Sequence, residues 1–296
     1  LKDISKVACE NSPSQERAVS DTISVWGMGF ENYRFIDANM AGLDKHQVPD
    51  LELKWAFDYP GASRARSQPT VHNDVIYVGS QDGTVYAINI ETGCLYWRFK
   101  APAEVRAAVV VDTDENSDLL YVGDMDGNVY AINRLNGKEK WRSHLNDHPD
   151  ATITGSPQLY EGMLYVPISS KEWATAADPS YACCTFRGGI AAFNTEDGKM
   201  IWKNFSIRET PKPIGKKNPI GADIIAPSGA PIWNSPTIDP GRGLLYVGTG
   251  ESYSSPAAPT SDAVLAFSLK TGELIWHRQL LAGDAWNMSC FIGSSY

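Results

Sequence analysis

Four stretches of the chain repeat one alternation of apolar and polar positions. "VIYVGSQDGTVYAINIETGCLYWRF" starts at Val75 and "LLYVGDMDGNVYAINRLNGKEKWRS" at Leu119. A third copy is split into "MLYVPISS" and "GGIAAFNTEDGKMIWKN", and a fourth into "LLYVGTGES" and "DAVLAFSLKTGELIWHR". Runs of β-branched and aromatic residues with this period read as strands. Asp82-Gly83 and Asp126-Gly127 between two such runs mark hairpins, because glycine takes a positive φ without a Cβ clash. Each copy ends in Gly-x-x-x-Trp: Gly93 and Trp97, Gly137 and Trp141, Gly198 and Trp202, Gly272 and Trp276. Trp55 in "LELKWAF" resembles the close of an earlier unit. The pattern predicts small four-stranded antiparallel sheets that cannot bury both faces alone. Stacked radially, they cover one another, with the recurrent tryptophan packed between neighbours.

The spacing marks where the repeat is interrupted. Trp55, Trp97, Trp141, Trp202 and Trp276 are 42, 44, 61 and 74 residues apart. The first two intervals suit a plain four-stranded unit. The later two carry insertions, which map to loops and often to a binding face. The largest inside a unit contains "KEWATAADPSYACCTFRGG", residues 171–189, and adds 17 residues relative to the plain copies. Another long loop, "SIRETPKPIGKKNPIGADIIAPSG", follows Trp202.

Composition narrows the function classes. A net charge of −9 argues against non-specific nucleic-acid binding. No apolar run approaches a membrane span. The five cysteines, Cys9, Cys94, Cys183, Cys184 and Cys290, show no CxxC spacing, so a zinc site is not expected. The histidines share no spacing, and there is no Ser-His-Asp constellation or phosphate loop.

The phrase A-x-x-x-x-x-G-x-x-x-W, as in "AINIETGCLYW", resembles the repeat of pyrroloquinoline quinone (PQQ) β-propellers, from Leu51 onward. Three longer segments occur in the order of the quinoprotein alcohol dehydrogenases: "YVPISSKEW" with "FRGGIAAFNTEDGKMIW", "SGAPIWNSPTIDPGRGLLYVGTGES", and "WHRQLLAGDAWNMSC". The "CCTFRG" run and the opening "WGMGFENYRF" are similar to the polyvinyl-alcohol-dehydrogenase branch. The resemblance implies an all-β fold, a β-propeller with about four to five blades in this chain, half of an eight-bladed ring. Residues 1–45 would be a lead-in segment and 46–296 a partial propeller. It implies PQQ- and calcium-dependent oxidation of a small or polymeric alcohol, a cytochrome c as electron acceptor, and a secreted or periplasmic location. The alternative is a non-catalytic propeller scaffold, since the repeat alone settles fold rather than function.

The same resemblance assigns roles. Glu172 would ligate calcium, a hard cation that takes carboxylate oxygens. Glu251, in "GTGES", stands where relatives place an asparagine ligand. Trp233 breaks the Gly-x-x-x-Trp rule and would be the flat floor under the quinone. Thr154 and Ser169 would hydrogen-bond cofactor carboxylates. Cys183 and Cys184 would form a bond between neighbours beside the cofactor; the other readings are bonds elsewhere or free thiols. Alcohol oxidation needs a carboxylate to take the hydroxyl proton. The relatives' aspartate is replaced here by Asn287, an amide unable to do this. Asp284 is the nearest carboxylate; otherwise another group serves, or the activity is lost. The resemblance also implies that the chain is a fragment or truncated, unless partner chains complete the ring, because no later repeats supply further cofactor contacts.

Overall fold

The computed structural model describes residues 7–13 and 23–292. Parts of the expected lead-in segment, residues 1–6 and 14–22, lie outside the described residues. Four antiparallel sheets follow one another, three of four strands and one, the third, with a fifth strand added. Blade 1 contains β1 (Thr70–His72), β2 (Val75–Gly79), β3 (Thr84–Asn89) and β4 (Leu95–Lys100). Blade 2 contains β5 (Val110–Val111), β6 (Leu119–Gly123), β7 (Asn128–Asn133) and β8 (Glu139–His144). Blade 3 is β10 (Gln158–Tyr160), β11 (Met163–Ser170), β12 (Gly189–Asn194) and β13 (Met200–Phe205), with β9 (Ala151–Thr152) paired to β11. A hairpin of β14 (Lys212–Lys217) and β15 (Asp223–Ala226) precedes blade 4, which is β16 (Thr237–Asp239), β17 (Leu244–Gly248), β18 (Ala263–Ser268) and β19 (Leu274–Gln279). The four blades do not close a ring.

The repeat has a physical cause that is the same in every blade. Tyr77, Ala87 and Trp97 are paired across β2, β3 and β4, as are Tyr121, Ala131 and Trp141 in blade 2. Tyr165, Ala192 and Trp202 repeat the line, and so do Tyr246, Ala266 and Trp276. The small alanine lets the outer rings meet over it, with centroids 5.8 Å apart in blade 1 and 5.9 Å in the others. A register shift follows the alanine each time.

Neighbouring blades are joined by the Gly-x-x-x-Trp motif. The Nε1–H of Trp97 donates to the Arg134 carbonyl of blade 2 at 2.9 Å, Trp141 to Thr195 of blade 3 at 2.8 Å, and Trp202 to Leu269 of blade 4 at 3.2 Å. Trp55 donates to Ile90 of blade 1 at 2.9 Å, the same position in the repeat. Three residues after each accepting carbonyl stands the motif's glycine. A Cβ on Gly198, at φ +72°, would lie 2.5 Å from the Trp141 ring. The glycine therefore supplies both the left-handed turn and the room for its neighbour's tryptophan. Three hydrophobic clusters form between adjacent blades, so the core is serial, as stacked repeats require.

The non-repeating N-terminal segment is a strap across the first strand of every blade. Ile23 pairs with Val71 of β1, and the Val111 amide of β5 donates to Ser24. Phe30 meets Tyr160 of β10 edge-on at 5.2 Å, and the Ile238 amide of β16 donates to Phe30. The first strands thus line the middle, and the tryptophan-bearing fourth strands lie outside. Further upstream, Cys9 is disulfide-bonded to Cys94 and its amide donates to Leu95, fastening the strap's leading end to β4.

Candidate active site

The blades bring one residue each to the middle at the same register. Arg66, Arg106, Thr154 and Trp233 all stand four residues before their blade's first strand, which begin at Thr70, Val110, Gln158 and Thr237. Two adjoining cavities form around them. One, of about 330 Å³, is lined by Arg106, Thr154, Ser169, Trp233, Glu251 and Tyr253, among others. The second, of about 320 Å³, shares Arg106, Thr154 and Trp233 with it. Trp233 is 58% exposed between them, in contrast to the buried Trp97 and Trp141. It lies close above the backbone of Gly250, where a Cβ would come within 3.1 Å of its Nε1. Gly250, the second glycine of "GTGES", leaves room for this indole.

Three residues that line the first cavity carry buried hydroxyls without partners. Thr152 and Thr154 both line it, and neither Oγ1 has a hydrogen-bond partner. The Tyr253 hydroxyl is in the same condition: Ser170 is near enough to favour its ionisation, but no well-formed hydrogen bond joins them. Burial drives the Tyr253 pKa well above the ordinary tyrosine value, reinforced by the charges of Glu251 and Glu172. Unpartnered buried polar groups are rare and costly. Three on one cavity wall fit a polar ligand that completes them. Trp173 and Trp286, whose rings are 5.9 Å apart, also line this cavity.

Thr154, Ser169, Trp233 and Glu251 all line this first cavity. Glu172 does not line either cavity. It is fully buried, and its carboxylate organises the inserted loop. Oε1 accepts from the Tyr181 hydroxyl at 2.8 Å and the Thr185 amide at 2.7 Å, and Oε2 from the Phe186 amide at 2.9 Å. His148 Nδ1 accepts the Asp150 amide at 3.2 Å, so the neutral ring carries its proton on Nε2, 3.6 Å from the carboxylate. Burial alone would raise the Glu172 pKa; His148 and the two amides overcome it and hold the carboxyl below the ordinary value.

Cys183 and Cys184 are bonded to each other and fully buried, behind Tyr253 in one hydrophobic cluster. They dock on the inserted hairpin: the Cys184 amide donates to Ile225 at 3.1 Å, and the Ile225 amide to Cys183 at 2.7 Å. Asn287 is buried and structural. Its Nδ2 donates to the Tyr253 carbonyl at 2.7 Å and lies 3.7 Å from the Cys183 sulfur. Its Oδ1 caps the short helix Ser289–Ile292 by accepting the Ser289 amide at 2.9 Å. Asp284 lies beside the cavity wall, where its carbonyl accepts the Ser252 amide at 3.3 Å. The Glu251 pKa is raised, first by burial and then by the negative charges of Asp262 and Asp284. Among the described residues, no three histidine, cysteine or acidic side chains assemble to hold a metal.

Arg66, Arg106, Thr152 and the Trp173–Trp286 pair were missed by the motif reading. The first two were recoverable by aligning the blades on their first strands rather than on their tryptophans. A family model of PQQ repeats, described as outer membrane protein assembly factor BamB, matches residues 26–214. The chain belongs to the PQQ-type β-propeller family. Within that family, the model for the β-propeller domain of glucose, ethanol and alcohol dehydrogenases matches residues 152–290. A polyvinylalcohol dehydrogenase of a Pseudomonas species is 38% identical over 94% of this chain and 43% of its own length. One from a Sphingopyxis species is 35% identical over 96% of this chain and 43% of its own. The chain therefore spans less than half the length of these relatives. The quinohemoprotein alcohol dehydrogenase of Comamonas testosteroni shares the fold, with a TM-score of 0.71 at 23% identity over 92% of this chain and 43% of that one.

Proposed function

We propose that this chain forms the PQQ-binding part of an alcohol dehydrogenase acting on secondary alcohols of the polyvinyl alcohol type. The carrying observation is the meeting of Trp233 with the unpartnered hydroxyls of Thr152 and Thr154 on one cavity wall. The volume lies within the range of small-molecule sites. Trp233 offers a flat face for stacking. Thr152, Thr154 and Ser169 supply hydroxyls for the ring's polar edge, and Arg106 supplies positive charge. PQQ, when bound, supplies a two-electron acceptor for the alcohol's carbinol carbon. Trp173 and Trp286 narrow the entrance and exclude water from the apolar side of the substrate.

The alcohol's hydroxyl proton needs a carboxylate. Glu251 is the acid on the cavity wall, with Asp284 close enough to raise its pKa. We assign the proton to this pair, with Asn287 committed to the Tyr253 carbonyl. The residues present do not fit calcium: both oxygens of Glu172 are taken by internal donors, and Glu251 stands on the wall without it. No step is derived through a metal. Cys9–Cys94 and Cys183–Cys184 suit an oxidising compartment, secreted or periplasmic. No helix among the described residues is long and apolar enough to cross a membrane. A c-type cytochrome is the electron acceptor we propose for the reduced quinone. The assembly-factor model favours the second reading, a non-catalytic scaffold.

Titration of the folded chain with PQQ separates the two readings. The enzyme reading expects quinone absorbance retained through desalting, quenched tryptophan fluorescence, and affinity at least about tenfold weaker in Trp233→Ala. Folded protein that retains no quinone would leave the scaffold.

A further inference from the structure

The aromatic wall of the first cavity continues outside it. Trp173 and Trp286, both half-buried, have ring centroids 5.9 Å apart and planes inclined by 31°. The next ring, Phe291, meets Trp286 at 5.7 Å and 80°. It lies beyond the cavity wall and is 74% exposed. Exposure therefore rises along the row, from the cavity to the outer surface. Ring planes close to a right angle make a corner, which suits a narrow chain better than a flat ring.

Backbone bonds set each ring in place. The Trp286 amide donates to the Ser252 carbonyl at 2.8 Å, one residue from Glu251. The Met288 amide donates to the Trp173 carbonyl at 2.9 Å, which ties the inserted loop of blade 3 to the segment after blade 4. Asn287 caps the turn that carries Phe291, and the Phe291 amide donates to Met288 at 3.1 Å. Aromatic rings held this way bind with little further loss of freedom. The surroundings are neutral: from Gln279 to Ile292 the chain has one charged residue, Asp284. Leu280 and Leu281 in that stretch are exposed. In a chain of net charge −9, such a surface selects an uncharged ligand with an apolar side.

We propose that Trp173, Trp286 and Phe291 form a strip for the flanking segment of a polymeric alcohol, with its methylene edge on the rings and its hydroxyls in water. The strip rests on the proposed alcohol dehydrogenase reading and adds a preference for long substrates. It starts at the cavity that takes the reacting carbinol carbon, so it meets the part of the substrate beyond that carbon. A small alcohol occupies the cavity and does not reach Phe291. Each methylene moved from water onto a ring raises affinity about fourfold.

The test measures binding of polyvinyl alcohol, and of pentanediol as its two-unit fragment, to the whole folded chain by calorimetry and tryptophan fluorescence. Phe291→Ala is compared with Phe291→Trp and with Phe35→Ala, a phenylalanine 72% exposed on the strap. The polymer binds the unaltered chain, loses about fivefold in Phe291→Ala, and keeps its affinity in Phe291→Trp and Phe35→Ala. Pentanediol binds far more weakly and equally in all four. PQQ retention is measured on the same preparations. Polymer affinity that depends on Phe291, with no PQQ retained, sustains the strip and removes the proposed function. PQQ retained with no polymer binding, or with equal polymer affinity in Phe291→Ala, overturns the strip and leaves the proposed function standing. Equal losses in Phe291→Ala and Phe35→Ala mean general adsorption to apolar surface and also overturn it. A shift from dimer to monomer in Phe291→Ala at unchanged polymer affinity overturns the polymer assignment and gives the strip to a second copy of this chain. Because the Phe291 ring is exposed, its removal leaves the melting temperature near that of the unaltered chain, which shows that the variant folds.

Discussion

The loop between the second and third strands is built in two ways in this chain, around the same device. In blade 2 it is a plain hairpin turn. Asp124, fully buried, accepts the Asp126 amide at 3.0 Å, the Asn128 amide at 2.9 Å and the Tyr130 hydroxyl at 2.7 Å. In blade 3 the same place holds the inserted segment, and Glu172, equally buried, accepts two amides and the Tyr181 hydroxyl. A buried carboxylate satisfies the turn's donors in both. The difference is reach. Asp124 gathers donors two to six residues away, Glu172 donors nine to fourteen residues away. One added methylene and a one-turn helix, Glu172–Thr175, let the device close a loop large enough to build a cavity wall.

Removal of Glu172 is the strongest way to break this comparison. Glu172→Ala leaves the buried Phe186 amide without an acceptor and opens the Tyr181 and Thr185 bonds. A loss of about 4 kcal/mol is expected in urea unfolding, with the hydrogen-exchange protection of residues 181–187 falling first. Because the Glu172 pKa is lowered in the fold, its contribution is present above the ordinary glutamate value of 4.5 and fades as pH falls through the folded value. Glu172→Gln should lack that acid-side loss. If it unfolds like the unaltered chain at every pH, the carboxylate does not organise the loop.

The plain hairpin should suffer less. Asp124→Ala costs about 2–3 kcal/mol, because Asp126 is exposed and water can replace part of what the carboxylate gave its amide. Equal losses from Asp124→Ala and Glu172→Ala would show that reach does not matter, and that each loop depends only on having a buried acceptor.

How much of this was legible in the sequence depends on how local its cause is. The strands, their hairpins and the recurrent Gly-x-x-x-Trp pair follow from side-chain size and turn geometry within one repeat, and repeat counting found them; that Gly137, Gly198 and Gly272 make room for the tryptophan of the preceding blade is visible only in the fold. The strap carries no period, because it touches each blade once, and the repeat pattern marks it only as a lead-in segment. Arg66 and Arg106 obey the blade register but stand outside the strands, where alternation carries no signal. Glu172 was legible as important and not as buried: its burial arises only when Tyr181, Thr185 and Phe186 fold back on it. The family resemblance named its position for calcium, while the physical chemistry of its two oxygens assigns them to the loop.

Glu251 sharpens the comparison from the other side and gives the smallest effect. It stands at the cavity, in the same insertion-bearing half of the chain, yet its environment inverts that of Glu172. Burial and the charges of Asp262 and Asp284 raise its pKa above 4.5, so the fold favours the protonated acid. Stability linked to this group is therefore full below 4.5 and is lost as pH rises through the folded value. Glu251→Gln should be more stable than the unaltered chain at neutral pH, by about 0.5–1 kcal/mol, with the gap closing at pH 4. The same variant should lower alcohol turnover if Glu251 accepts the proton. Higher stability with lower activity is the signature of a group held at a cost for its chemistry. A variant less stable than the unaltered chain at neutral pH would place Glu251 with Glu172, as a loop organiser rather than a cavity acid.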